Sequence, residues 1–175
     1  MKALENRFAR FAFLLSAIFL FLTQAAVGDE FSRDGTLVIL VSSDKPIYKF
    51  GEPIRLTLRL RNNTTAPLIV NRRLDPFNDL RWELFKEPDG FMSVKIVPSK
   101  PITSEDFIEL KPEQEIVKNL PPLSEITPDP LKRGLYGVRL TYTNREKPEG
   151  LQGDIWTGEI VTNRLSIQIR SGEKA

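Results

Sequence analysis

The stretch "LDPFNDL", Leu74 to Leu80, sets Asp75, Asn78 and Asp79 in one short loop. These are hard oxygen ligands of the kind calcium takes. The same residues also build a plain turn, because Asp and Asn side chains bond their own backbone. The turn is the expected reading, and no metal site is assigned. The chain contains no histidine and no cysteine. Ser-His-Asp and Cys-His catalysis in their usual form need residues it lacks. Imidazole and thiolate sites for zinc, copper or haem are excluded with them. Carboxylate pairs alone can hydrolyse glycosides, yet no motif picks out a pair among the 23 acidic residues. "PEGLQGD", Pro148 to Asp154, lacks the lysine and the following helix of a phosphate loop and reads as a hairpin loop. No catalytic residue and no cofactor is expected, and the chain is not read as an enzyme.

Binding residues are easier to nominate. Arg55, Arg59 and Arg61, joined by Arg72 and Arg73, suggest a basic stripe that an acidic glycan or protein would meet. The plainer reading is a solvated sheet face paired with Glu83 or Glu109 on neighbouring strands. Trp156, in "DIWTGEI", is a candidate anchor for a partner; the alternative is packing beside Gly158. Lys132 and Arg133 form a basic tip in "PPLSEITPDPLKRG", Pro121 to Gly134. That stretch is the longest irregular one in the chain, and its four prolines bar regular pairing. It is either a crossover between sheets or a functional loop. Asn62-Asn63-Thr64-Thr65 contains two overlapping glycosylation sequons, and its position at a turn already accounts for it.

The elements that must position these residues are strands. Thirteen prolines and ten glycines punctuate short apolar runs, the pattern of an all-β sandwich or barrel. Strands are expected at 37–42, 54–61, 67–71, 80–85, 91–97, 107–110, 116–120, 135–143 and 160–170. Ile54, Leu56, Leu58 and Leu60 alternate with Arg55, Thr57, Arg59 and Arg61, so one face of that strand is apolar. "EPDG", Glu87 to Gly90, reads as a turn. No long helical period escapes a proline. The expected fold is an all-β, two-sheet antiparallel Ig-like sandwich of seven to nine strands. Pro46 and Pro53 cannot donate to a ladder, so "DKPIYKFGEPI" is expected as a corner outside regular pairing, where the chain changes sheets. There Tyr48 buries its ring while its hydroxyl keeps a hydrogen bond.

"DKPIYKFGEPI" resembles the strand-opening motif of macroglobulin-type domains, in which Lys-Pro-x-Tyr-x-x-Gly-Glu/Gln precedes a core strand. "GLYGVRLTYTN" followed by "IWTGEIVTNRLSIQI" resembles the last two strands of exported Ig-like bacterial proteins. "LKPEQEIVKNL" with "GLYGVRLTY" is similar, over less of the pattern, to the BsuPI-like proteinase-inhibitor fold. The first two likenesses imply architecture and bring no catalytic residue. Tyr136, two residues after Gly134, looks like the tyrosine corner of such sandwiches.

The chain's start has the pattern of an export signal. Lys2, Arg7 and Arg10 precede an uncharged run of twelve, Phe11 to Leu22, followed by the small residues of "TQAAVGDE". A run of that length is short for a membrane span, which needs about 20 apolar residues, and fits a cleaved signal peptide. The expected domains are a signal peptide over 1–28, a sandwich over 29–170 and a polar tail over 171–175. The first 28 residues hold three basic residues and one acidic, so the rest carries 22 of each. That balance gives no general electrostatic case for nucleic acid. The function expected is a secreted or periplasmic, non-enzymatic binding or structural module. Its partner would be a protein or glycan of the cell envelope or extracellular space, with no membrane contact after cleavage. The competing expectation is a proteinase inhibitor acting through the 121–134 loop.

Overall fold

The structure, a computed structural model, describes residues 35–98 and 100–171. The signal-peptide reading of residues 1–28 lies outside that range, as does the polar tail beyond Ser171. Among the described residues eleven strands run in chain order: β1 (Leu37–Ser43), β2 (Ile47–Lys49), β3 (Leu56–Asn62), β4 (Leu68–Asn71), β5 (Leu80–Glu87), β6 (Gly90–Phe91), β7 (Phe107–Leu110), β8 (Glu115–Asn119), β9 (Gly134–Asn144), β10 (Gly158–Val161) and β11 (Leu165–Arg170). The fold is all-β and sandwich-like. A three-stranded sheet has the order β1-β3-β8. A larger sheet has the order β2-β11-β9-β5-β6, with β10 also on β9, and β4 pairs β7 as a separate ribbon.

Period-two patterning decides which face of each strand turns inward. In β3, Leu56, Leu58 and Leu60 are buried while Arg59 is exposed. In β5 it is Leu80, Trp82 and Leu84, and in β9 Tyr136, Val138, Leu140 and Tyr142. The inward faces of both sheets, with Leu68, Val70 and Leu110 of the ribbon, share one apolar core. Each fully buried Leu or Ile there contributes about 1.5–3 kcal/mol.

The nine strands expected from patterning become eleven for two reasons. Ile47–Lys49 is a strand after all. It pairs parallel with β11, Tyr48 opposite Ile169, and the Pro46 carbonyl accepts the Gln168 N–H at 2.9 Å. Proline lacks only the donor, so the expectation that this segment lies outside regular pairing is corrected. So is the change of sheet, because the chain crosses to the larger sheet only for β2 and returns, leaving β1 and β3 as antiparallel neighbours in one sheet. The run 160–170 is not one strand but two. At Thr162 and Asn163 side chains replace the ladder: Thr162 Oγ1 accepts the Leu140 N–H at 3.0 Å. The Asn163 carboxamide accepts from Val41 N at 2.8 Å and donates to Val41 O at 3.0 Å, joining the larger sheet to the free edge of β1.

The hairpin partner expected over 91–97 is also shorter. Only Gly90 and Phe91 pair with β5, and Ile96 is 98% exposed. The 121–134 stretch forms no strand, but it contains one helical turn, α1 (Leu123–Ile126), whose Leu123 and Ile126 are fully buried. Its backbone is tied in where Leu123 N donates to Ile54 O and Lys95 N to Ile126 O.

Candidate functional site

The residues nominated from sequence do not converge. Trp156 is 5% exposed, stacked on Tyr142 at 5.5 Å and 15°. An added Cβ at Gly158 would lie 3.2 Å from the indole, and Gly158 has φ +154°. Trp156 is therefore packing beside Gly158, the alternative reading, and the surface-anchor reading is corrected. Tyr142 donates to Asn71 O at 3.1 Å, and burial, with Asp79 nearby, pushes its phenol well above the ordinary range.

Arg55, Arg59 and Arg61 do share the outer side of the three-stranded sheet. Arg59 meets Glu115 at 2.6 Å and Arg61 meets Glu113 at 3.6 Å. The acidic partners come from β8 and its turn, not from Glu83 or Glu109. Such exposed pairs contribute about 0–1 kcal/mol. Arg73 does not belong to the stripe. It faces Asp79, with Nε to Oδ2 at 2.9 Å and Nη2 to Oδ1 at 2.5 Å. The side chains are 15% and 2% exposed, and the hydrogen bonds to Asp79 raise the Arg73 pKa.

This pairing also explains the "LDPFNDL" loop. Asp79 Oδ2 accepts the Asp75 N–H at 2.8 Å. Asp75 Oδ1 accepts from Phe77 N at 2.9 Å, Asn78 N at 3.0 Å and Asn78 Nδ2 at 2.9 Å. The oxygens that calcium would need are spent on the turn and on the guanidinium. Among the described residues no cluster of three or more acidic side chains is placed to hold a metal. Asn62 is equally committed. Its Nδ2 donates to Ala66 O and Leu110 O, and its Oδ1 accepts from Thr64 N and Oγ1. The first sequon is thus a buried turn device.

Lys132 and Arg133 are exposed, but the loop that carries them is braced. The Tyr136 hydroxyl bonds both backbone groups of Lys132, and Thr127 Oγ1 donates to Asp129 O at 2.9 Å. The Arg133 guanidinium lies 5.8 Å from the centre of the Phe50 ring. At the neighbouring corner Tyr48 donates to Asp44 and Glu52 pairs with Lys45 while accepting the Lys49 N–H at 2.9 Å. Gly51 supplies the φ of +84° that this turn requires. Asp44, Lys45, Tyr48, Gly51 and Glu52 of "DKPIYKFGE" are thereby used for structure.

A surface that patterning did not nominate lies on the outer side of the larger sheet. Phe85 occupies the outward register of β5, out of phase with Leu80, Trp82 and Leu84. Phe91 on β6 meets it edge to face at 5.5 Å and 78°, and is itself 79% exposed. Gly137 sits opposite Phe85 on β9. Arg164, from the break between β10 and β11, lies across both: its guanidinium carbon is 5.9 Å from the Phe85 centroid, and a Cβ at Gly137 would be 3.1 Å from its Nε. With Glu83 and Arg139 these residues line a groove of about 320 Å³. Two signals in the sequence point here: an aromatic at an outward strand position, and a glycine inside a strand, which often marks close approach of another group. No protein-family model matches this chain, and no curated protein matches it either.

Proposed function

We propose that this protein is an exported, non-enzymatic binding module of the cell envelope or extracellular space, docking its partner on the outer face of the larger sheet. The observation that carries the reading is the groove at Gly137, where the exposed Phe91, the half-buried Phe85 and the Arg164 guanidinium share a face with Glu83 and Arg139. Aromatic and arginine side chains are the residue types that anchor protein interfaces. Non-catalytic action is supported by the chain's lack of histidine and cysteine and by the engagement of Tyr48, Tyr136 and Tyr142 in internal hydrogen bonds. Export is supported by the pattern of residues 1–28. The strand orders β1-β3-β8 and β11-β9-β5 follow the A-B-E and G-F-C orders of an immunoglobulin sandwich, in keeping with the resemblance of the chain's ending.

The test is a photo-crosslinking amino acid placed at 91 or, as control, at Val117 on the other sheet. A discrete adduct in envelope extract is expected from 91 and not from 117, and Gly137→Leu, which fills the groove, should abolish it. Equal patterns from both positions, or an adduct indifferent to Gly137→Leu, would sink the reading.

The second reading is a proteinase inhibitor using Lys132 or Arg133. Its support is the bracing of the 128–133 segment at both ends, since a pre-ordered loop loses less entropy on binding. Against it, the N–H and C=O of Lys132 are already engaged by Tyr136, and Arg133 is followed at once by β9.

A further inference from the structure

We infer that the Gly137 groove recognises a carboxylate side chain flanked by an apolar residue, presented by an acidic peptide segment of a protein partner. The inference rests on the docking face proposed above and names what that face reads. Arg164 supplies the charge. It is exposed and lies over the Phe85 ring and against Gly137. Its guanidinium is laid over the Phe85 face and into the space that a side chain at residue 137 would take. Lying over a ring face consumes none of the N–H donors of the planar fork, so the donors stay available for a carboxylate that bonds both arms. The apolar requirement comes from Phe91, whose ring stands open beside the cation at the short outer edge of the sheet.

The geometry favours a peptide over a sugar. Arg164 lies over one face of Phe85, and the two rings meet at 78°, so they do not form the flat platform on which a pyranose stacks. At about 320 Å³ the groove lies at the small end of ligand sites, the size for one acidic side chain and its apolar neighbour.

The purified protein would be panned against phage-displayed random heptapeptides. Enriched peptides would then be synthesised and measured by fluorescence polarisation beside counterparts with Glu→Gln or Asp→Asn. Enrichment of an acidic residue next to an apolar one is expected. The amide counterpart should bind at least tenfold more weakly, and Arg164→Gln should weaken the acidic peptide by a similar factor with Tm unchanged. Gly137→Ala keeps every charge but makes the guanidinium give way by a few tenths of an ångström, and Gly137→Leu moves it further, so affinity should fall from the glycine to the alanine to the leucine form. Affinity should fall with ionic strength. No enrichment, enriched peptides without an acid, equal binding to the amide counterparts, or tighter binding of trigalacturonate than of any peptide would each overturn the inference. If the crosslink at 91 persists and still depends on Gly137 while Arg164→Gln changes nothing, the docking face stands and the carboxylate inference alone falls. Loss of both leaves neither.

Discussion

The Tyr136 hydroxyl accepts the Lys132 N–H at 2.9 Å and donates to the Lys132 carbonyl at 2.6 Å. One phenol thus closes a four-residue loop onto the start of β9. Tyr136→Phe keeps the ring and removes both bonds. Leaving those groups unsatisfied should cost about 1–3 kcal/mol. It should also expose Lys132 and Arg133 to trypsin, seen as faster cleavage in a limited-digestion time course. Equal cleavage rates for mutant and wild type would show that the brace does not hold the loop.

The same brace predicts the outcome with a protease. Trypsin activity on a small substrate should be unchanged by increasing amounts of the protein. Lys132 cannot offer its backbone to an active site without first breaking the Tyr136 bonds. A linear fall to zero near an equimolar ratio, lost in the double variant Lys132→Ala, Arg133→Ala, would reverse the ranking of the two functional readings.

Burial, and after it the hydrogen bond to Asp44, pushes the Tyr48 phenol up to about 12 from 10.0. The folded state therefore favours the protonated form. The stability it lends is complete below pH 10 and is lost as pH rises from 10 to 12. Tyr136 and Tyr142 shift in the same direction. Urea midpoints should decline over that window, and less steeply in Tyr48→Phe, which has one titrating group fewer. Parallel slopes would remove Tyr48 from the account.

Asp79→Asn should be among the most damaging single changes. It leaves the Arg73 guanidinium, only 15% exposed, without its counter-charge. Removing one partner of such a pair costs about 3 kcal/mol, equivalent to a fall in Tm of about 10 °C. A chelator should leave the wild-type Tm where it was. A drop of several degrees with chelator would restore calcium to Asp75, Asn78 and Asp79.

Residues that alternate were legible in the sequence; residues whose side chains do backbone work were not. Leu80, Trp82 and Leu84 announced β5 and its inward face, and Leu135 to Thr143 announced β9 to within a residue at each end. The break at Thr162 and Asn163 was invisible, because Asn163 sits within an alternating run and acts through Val41, 122 residues away. β2 was hidden by Pro46, whose missing donor argued against pairing while its carbonyl pairs. For the site, Trp156 drew notice as the most partner-like residue type, yet its ring is buried against Tyr142 and beside Gly158. Arg164 drew none, since its significance comes from Gly137 and Phe85 on two other strands.

Export as proposed makes a direct demand on the first segment. Leu15→Arg together with Phe19→Arg breaks the apolar run and should hold the full-length precursor in the cytoplasm. Mature-size product still recovered outside the cytoplasm from this variant would refute the signal reading.

The parallel pairing of β2 with β11 sets the order in which the chain can fold. Tyr48 lies beside Ile169, so an early corner is completed only by a strand more than 110 residues later. Contacts of such sequence separation carry a large loop-closure cost and slow folding. A nascent chain lacking residues 165–170 has neither the edge that receives Ile47–Lys49 nor the strand that covers the lower half of β9. It should stay open, protease-sensitive and available to a chaperone until β11 has emerged, which is the condition that the proposed export through a narrow channel would require of its cargo.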